Sequence, residues 1–316
     1  MPFDQLAGVR FGVVNETATA GRAFVDHVRR IEDAGIDVFL VRDHLMAAAY
    51  GPQFAPFPVL AAAAAVTERL RVGTMVLCND FRHPALVAHE AASLHQLCGG
   101  RFELGLGAGW FPPEFEAAGI GFDAPARRID RLEESLAIVR GLFSGRAVDH
   151  DGSAYRIKGL DLGIVPVEFG YPPIVVGAGG PRMLRVAARV ADVVGILPAP
   201  IRGGKDSDDP RDRSPEAFDR KLAVIREAAA GRPAPPEIST FVTVRIADNR
   251  REATEQLIRE RGWAGVDAEA VWAMPTIFVG SVGQIRDDLR ARRERFGLTY
   301  LVCSDNDVPT LARVLA

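Results

Sequence analysis

The sequence is short of cysteine and lysine, lacks any long apolar run and carries no excess of basic charge. Its three cysteines, Cys78, Cys98 and Cys303, are far apart and odd in number. They offer neither a disulfide framework nor the spacing of a metal or redox pair. A reducing, cytoplasmic setting is therefore expected. The net charge of −3 provides nothing to hold a phosphate backbone, so nucleic acid is not an expected partner. The longest apolar run, Val59 to Val66, falls far short of the roughly 20 residues that cross a membrane. The opening Met1-Pro2-Phe3-Asp4 is too polar to begin a signal peptide. Only Lys158, Lys205 and Lys221 are lysines among the 38 basic residues, an arginine bias that speaks of codons rather than chemistry.

What is present is a rhythm. Apolar, β-branched runs alternate with stretches of helical period over 316 residues. The runs are Val9 to Val14, Val38 to Val41, Val72 to Leu77, Phe102 to Leu106, Ile174 to Val176, Val193 to Leu197, Ile238 to Ile246 and Leu298 to Cys303. Between them lie helical patterns such as Phe24, Val28 and Ile31, ended by Gly35, and Ile129, Leu132, Leu136, Val139 and Phe143. Continuously apolar strands indicate a parallel sheet covered on both faces. Eight strand–helix units over this length predict one α/β domain, residues 1–316, folded as a (β/α)8 TIM barrel rather than an open doubly wound sheet. Two stretches break the rhythm. Residues 144–173 contain Asp151-Gly152, a hairpin signal, and predict an inserted ribbon. Residues 202–214 are polar and punctuated by Gly and Pro, which suits either a lid or an idle connector.

In such a barrel the chemistry lies at the C-terminal ends of the strands. Strand one ends at Asn15-Glu16, strand two at Arg42-Asp43-His44 and strand three at Cys78-Asn79-Asp80. Strand four runs into Gly107-Ala108-Gly109-Trp110, and the Ile174 strand into Gly177-Ala178-Gly179-Gly180-Pro181. The last segment lets main-chain N–H groups approach an anion, and its proline starts a helix whose N-terminal dipole favours negative charge. It reads as a phosphate cradle, with a tight strand–helix turn as the alternative. Asp43-His44 is the best acid–base candidate, because imidazole exchanges protons near neutral pH. Trp110-Phe111 suits stacking on a flat ring or core packing equally. His83, His89 and His95 are spaced by six, wrong for a helical metal pair, and read as surface or capping residues. No His-x-His follows strand one and no lysine lies near a barrel strand end, so neither a metal-dependent hydrolase nor a Schiff-base aldolase is expected, and no metal is.

In order along the chain, IEDAGIDVFLVRDHL (31–45), RVGTMVLCNDFRHPALVAHEAASL (71–94), GGRFELGLGAGW (99–110), RRIDRLEESLAIVRGLF (127–143) and PPIVVGAGGPRMLRVAARVADVVGI (172–196) resemble the luciferase-like flavin and deazaflavin oxidoreductases. IFVGSVGQI (277–285) and RERFGLTYLV (293–302) extend the resemblance over nearly the whole chain, which looks most like an actinobacterial branch assigned to coenzyme F420. The resemblance implies an oxidoreductase moving a hydride between the deazaflavin and a small organic substrate. An FMN-dependent monooxygenase is the alternative, and a non-catalytic flavin-binding protein a third reading. It implies that Asp43 and His44 face the coenzyme ring, with His44 as proton donor or electrostatic partner. Thr74, Met75 and Val76 would form a bulge behind the ring, with a cis peptide at Met75–Val76. Asn79, Gly107, Ala108, Gly109 and Trp110 would line the ring and its chain, and Gly177, Ala178, Gly179, Gly180 and Pro181 would hold the phosphate. Arg82, Arg182, Arg202 and Lys205 would meet the acidic tail of F420. A homodimer is also implied. Trp110 stands where the deazaflavin sugar-phosphate dehydrogenases carry glutamate, which speaks against sugar-phosphate chemistry. His95 and Cys98 replace the usual Asp and Ser on a helix away from the rim.

Overall fold

Eight parallel strands form the centre of the computed structural model, which describes residues 8–16, 18–164, 168–197 and 208–316. In chain order they are Arg10–Val14, Val38–Val41, Arg71–Thr74, Phe102–Gly107, Ile174–Ala178, Val193–Ile196, Glu237–Phe241 and Leu298–Ser304. Each pairs in parallel with its neighbours in sequence. Val72 beside Phe102 joins the third to the fourth, and Arg10 beside Tyr300 joins the first to the eighth, so the sheet closes without an edge. This is the predicted (β/α)8 barrel. The helices bury the stripes their period announces: Phe24, Val28 and Ile31 on Gly21–Asp33, and Leu132, Leu136, Val139 and Phe143 on Pro125–Phe143. Gly35, at φ +78°, ends the first of these where a side chain would be strained.

The barrel is plugged at one pole and open at the other. Arg10, Arg71, Glu103 and Glu237 form an ion-paired layer at the N-terminal ends of the strands; Glu103 is 1% exposed and receives both arginines. Tyr300 fills the layer above, with the Arg10 guanidinium 3.6 Å from its ring centroid. Toward the other pole Gly107, Gly177 and Gly195 replace bulky residues on three adjacent strands, and the interior opens there. The peptide between Met75 and Val76 is cis, as the resemblance implies, and the chain resumes pairing at Leu77–Cys78 against Leu106 and Gly107.

Three expectations needed correction. The run Ile238 to Ile246 is two strands, because Thr243–Ile246 leaves the barrel after Phe241 and pairs in parallel with Ile277–Gly280 outside it. Periodicity cannot show that departure, since both halves are apolar. His95 is neither at the surface nor a cap: it is 1% exposed, with its ring nitrogens on the carbonyls of Phe102 and Phe169, and burial pushes its ring toward the neutral form. His83 does cap its helix, accepting from the Ala85 N–H, and His89 is exposed. Lys221, set aside as a helix residue, reaches the end of strand six, where its Nζ donates to the Leu197 carbonyl at 2.7 Å. Burial brings its ammonium down to about 8, yet it does not line the cavity.

The 144–173 stretch contains the expected ribbon, Val148–Asp151 antiparallel to Arg156–Leu160. Its turn is pinned by the Glu134 carboxylate, which accepts from the N–H groups of Ser153, Ala154 and Tyr155. Arg202 and Lys205 lie outside the described residues. Among the described residues, no helix is long and apolar enough to cross a membrane, and no group of three or more His, Cys, Asp or Glu is gathered for a metal.

Candidate active site

At the open pole lies a cavity of about 840 Å³, within the range of roughly 300–1,000 Å³ usual for small-molecule sites. It is lined by His44, Met75, Val76, Gly107, Ala108, Gly109, Trp110, Gly177, Gly179, Gly180 and Pro181 together. The segments after strands two, three, four and five therefore converge on one space, which chain separation alone does not guarantee. Asp43 also lines it. Thr74, Asn79 and Ala178 do not: they sit just behind the lining. Thr74 is 1% exposed and exchanges hydrogen bonds with both main-chain groups of Gly105. Asn79 donates to Asp80 and to the Tyr155 hydroxyl, tying the rim to the ribbon.

His44 is paired with a carboxylate, but not with Asp43. Its Nδ1 lies 2.8 Å from Glu114 Oε2, while Glu114 Oε1 accepts the Met46 N–H at 3.0 Å. Glu114 is 2% exposed and stands on the short helix Pro112–Ala117, just after strand four. A buried carboxylate on Nδ1 fixes the proton there, so the neutral ring presents its Nε2 lone pair to the cavity. Trp110 and Tyr50 flank the imidazole, with ring centroids 5.6 and 5.1 Å away. Glu114 escaped the sequence reading. The available signal was Pro112-Pro113-Glu114, a helix start straight after the glycine segment.

Asp43 has a different task. Arg82 grips it from Nη1 at 2.6 Å and Nη2 at 3.0 Å, and the Cys78 N–H donates to it at 2.9 Å. The carboxylate thus welds the end of strand two to the end of strand three. Replacing Arg82 with methionine leaves this buried carboxylate without its cation, and is expected to cost about 3–5 kcal/mol of stability, read as a lowered denaturation midpoint. An unchanged midpoint would show that the clamp is dispensable. The thiol of neighbouring Cys78 is pushed up to about 12, chiefly by burial and then by Asp43, Asp80 and Glu114 nearby. With all three cysteines buried, the folded protein is expected to resist a thiol reagent at pH 8 and to react only on unfolding. Rapid labelling of the native protein would contradict this.

The cavity suits a flat ring with an anionic arm. An added Cβ at Gly180 would meet no atom within 4 Å, and at Gly177 and Gly195 its nearest neighbours lie at 3.8 and 3.7 Å, so these glycines border open space. Gly180 offers no side-chain cap to the helix Pro181–Val190, whose first-turn N–H groups remain for an anion. Arg128 lines the same space; its guanidinium donates to the main-chain carbonyls of Ala108, Gly109 and Asp123, and among the described residues it makes no hydrogen bond to a carboxylate. Of the arginines expected to meet an acidic tail, Arg82 is committed to Asp43, and Arg182 lines the cavity while paired with Asp130.

The profile of the luciferase-like monooxygenase family matches residues 1–299. The chain belongs to this family. An F420-dependent glucose-6-phosphate dehydrogenase of Nocardia farcinica is 38% identical over 176 residues, 54% of this chain and 52% of that one. Another from Microbacterium testaceum is 29% identical over 282 residues, 87% of this chain and 78% of the relative. A 5,10-methylenetetrahydromethanopterin reductase of Archaeoglobus fulgidus is 34% identical over 168 residues, 53% of this chain and 47% of it. The matched stretch thus spans about half the length of the Nocardia and Archaeoglobus proteins. Among solved structures, an F420-dependent secondary alcohol dehydrogenase superposes with a TM-score of 0.73 at 17% identity, covering 98% of each chain. Monooxygenase RslO1 of Streptomyces bottropensis gives 0.72 at 25% identity, covering 96% of this chain and 97% of its own. The same barrel is therefore found in a protein named for F420 and in a monooxygenase.

Proposed function

We propose that this chain is a coenzyme F420-dependent oxidoreductase acting on a small organic substrate at the open pole of the barrel. The observation that carries the reading is that the glycine cradle at 177–180 and the His44–Glu114 pair border one cavity. The F420-dependent relatives support the deazaflavin over FMN, and so do the arginines in the lining. Gly177, Gly179, Gly180 and the first turn of the helix Pro181–Val190 would hold the phosphate, and Met75, Val76, Gly107 and Gly195 would bear the ring. Bound there, the deazaflavin supplies a two-electron hydride acceptor or donor.

The side chains then handle the proton. His44 Nε2 takes it from a hydroxyl that is being oxidised, or returns it when the reaction runs the other way. Glu114 is a positioning residue: it keeps the imidazole proton on Nδ1 and steadies the imidazolium. Trp110 and Tyr50 crowd the imidazole and keep water away from it. Titrating the purified protein separately with F420 and with FMN, followed by absorbance, tests the proposal. Saturable binding of F420 with much weaker binding of FMN is expected; the reverse preference would make the protein a flavin enzyme.

A further inference from the structure

The His44–Glu114 pair sits inside a box of aromatic rings that proton transfer by itself does not require. Tyr50 and Trp110 flank the imidazole and stand 6.0 Å apart, with their ring planes inclined at 64°, and Phe111 lies 5.2 Å from Trp110. All four residues line the cavity. The box is built from two directions. Trp110 and Phe111 follow strand four, and Tyr50 ends the short helix Ala47–Tyr50 after strand two. Gln53 Nε2 ties that helix to the end of strand one, donating to the carbonyls of Tyr50 and Glu16 at 3.1 and 3.3 Å. The Arg42 guanidinium lies 4.2 Å from the Tyr50 ring centroid. Rings held in this way accept a further ring edge-on or offset.

The charges bonded to the box do not favour an anion. Arg42 donates from both terminal nitrogens to the Glu16 carboxylate, so these two cancel. Asp43 and Arg82 cancel in the same way. Glu114 carries one negative charge against a neutral His44. Arg128, a further cation of the lining, lies over the Phe122 ring and donates to main-chain carbonyls. A carboxylate or phosphate brought up to His44 would lose its water among rings and would face the Glu114 charge. An uncharged group with a flat apolar body meets neither cost.

We propose that the substrate is an uncharged secondary alcohol bearing an aromatic ring, or the matching ketone, with its ring packed against Trp110 and Tyr50 and its oxygen on His44 Nε2. The carbinol carbon gives its hydride to the bound deazaflavin and its hydroxyl proton to His44, leaving the ketone; the reverse reaction adds both. The proposal rests on the oxidoreductase reading for that transfer, while recognition by the box stands apart from it.

Methyl mandelate and mandelate differ in charge and little in shape, and serve as probes. Calorimetric titration of the coenzyme-free protein should show saturable binding of the ester, and binding of the acid weaker by about tenfold or more. Trp110→Ala and Tyr50→Ala should each weaken the ester by about fivefold or more, while Trp110→Phe keeps most of the affinity. Glu114→Gln removes the buried charge and should narrow the gap between acid and ester, a change that a purely structural role of this carboxylate would not produce. No saturable binding of the ester, acid bound as tightly as ester, or ring variants that bind the ester like the native protein would overturn the proposal.

A second titration separates it from the coenzyme reading. Saturating F420 should leave the ester bound, since the coenzyme ring rests on the glycine floor; displacement would put the ester on that floor and overturn the box. Ester binding without F420 binding would end the coenzyme reading and leave the substrate class standing. F420 binding without ester binding would do the reverse.

Discussion

Replacing His44 with alanine is expected to lower turnover by roughly 10²–10⁴-fold, the usual worth of a positioned acid–base group. F420 affinity should stay within about threefold, because the cradle at 177–180 and the glycine floor are untouched. The companion variant Glu114→Gln is more telling. In the native protein Glu114 Oε1 accepts the Met46 N–H and Oε2 faces His44 Nδ1. A glutamine must keep its carbonyl oxygen on the Met46 N–H, so its NH₂ turns toward Nδ1 and donates. The imidazole proton then moves to Nε2, and the lone pair leaves the cavity. Nearly the same loss of kcat is expected from this isosteric change, with KM little altered. A Glu114→Gln enzyme with a native rate would reduce Glu114 to a structural support for the loop at Met46.

The second large effect concerns the barrel floor. An alanine Cβ at Gly105 would lie 2.0 Å from the main-chain oxygen of Thr74, which cannot step aside without moving strand three. Gly105→Ala is expected to cost about 3 kcal/mol or more, at the upper end for overpacking, and to appear as a collapse of soluble expression or of the denaturation midpoint. At Gly107 the nearest atom is Val76 Cγ2, at 2.7 Å, the tip of a side chain. That valine can rotate, but it lines the cavity. Gly107→Ala should therefore spare most of the stability and weaken coenzyme binding. Melting curves and coenzyme titrations of the two variants separate these outcomes. Equal stability for both would mean that the close approach at Gly105 is relieved elsewhere.

The two positions illustrate how far the sequence reaches. Gly105 and Gly107 are two residues apart in one motif, and the chain offers no sign that one glycine accommodates a carbonyl oxygen and the other a valine. The same limit governs the acid–base pair. Asp43 and His44 are adjacent in sequence, which invites pairing them. In a strand-end segment neighbouring side chains diverge, and Asp43 turns to Arg82 and Cys78 while His44 meets a carboxylate 70 residues away.

The succession of apolar strands and amphipathic helices determined the barrel, because burial on both faces of each strand is a local demand written into every run. The family motifs determined the neighbourhood of the cradle and the Met75–Val76 bulge. Tertiary structure alone decided which charge meets which. Glu114 on His44 and Arg82 on Asp43 join residues whose separation along the chain carries no periodic signature. It also decided that Thr243–Ile246 leaves the barrel to pair with Ile277–Gly280, since an apolar run states that it must be buried and not against which partner.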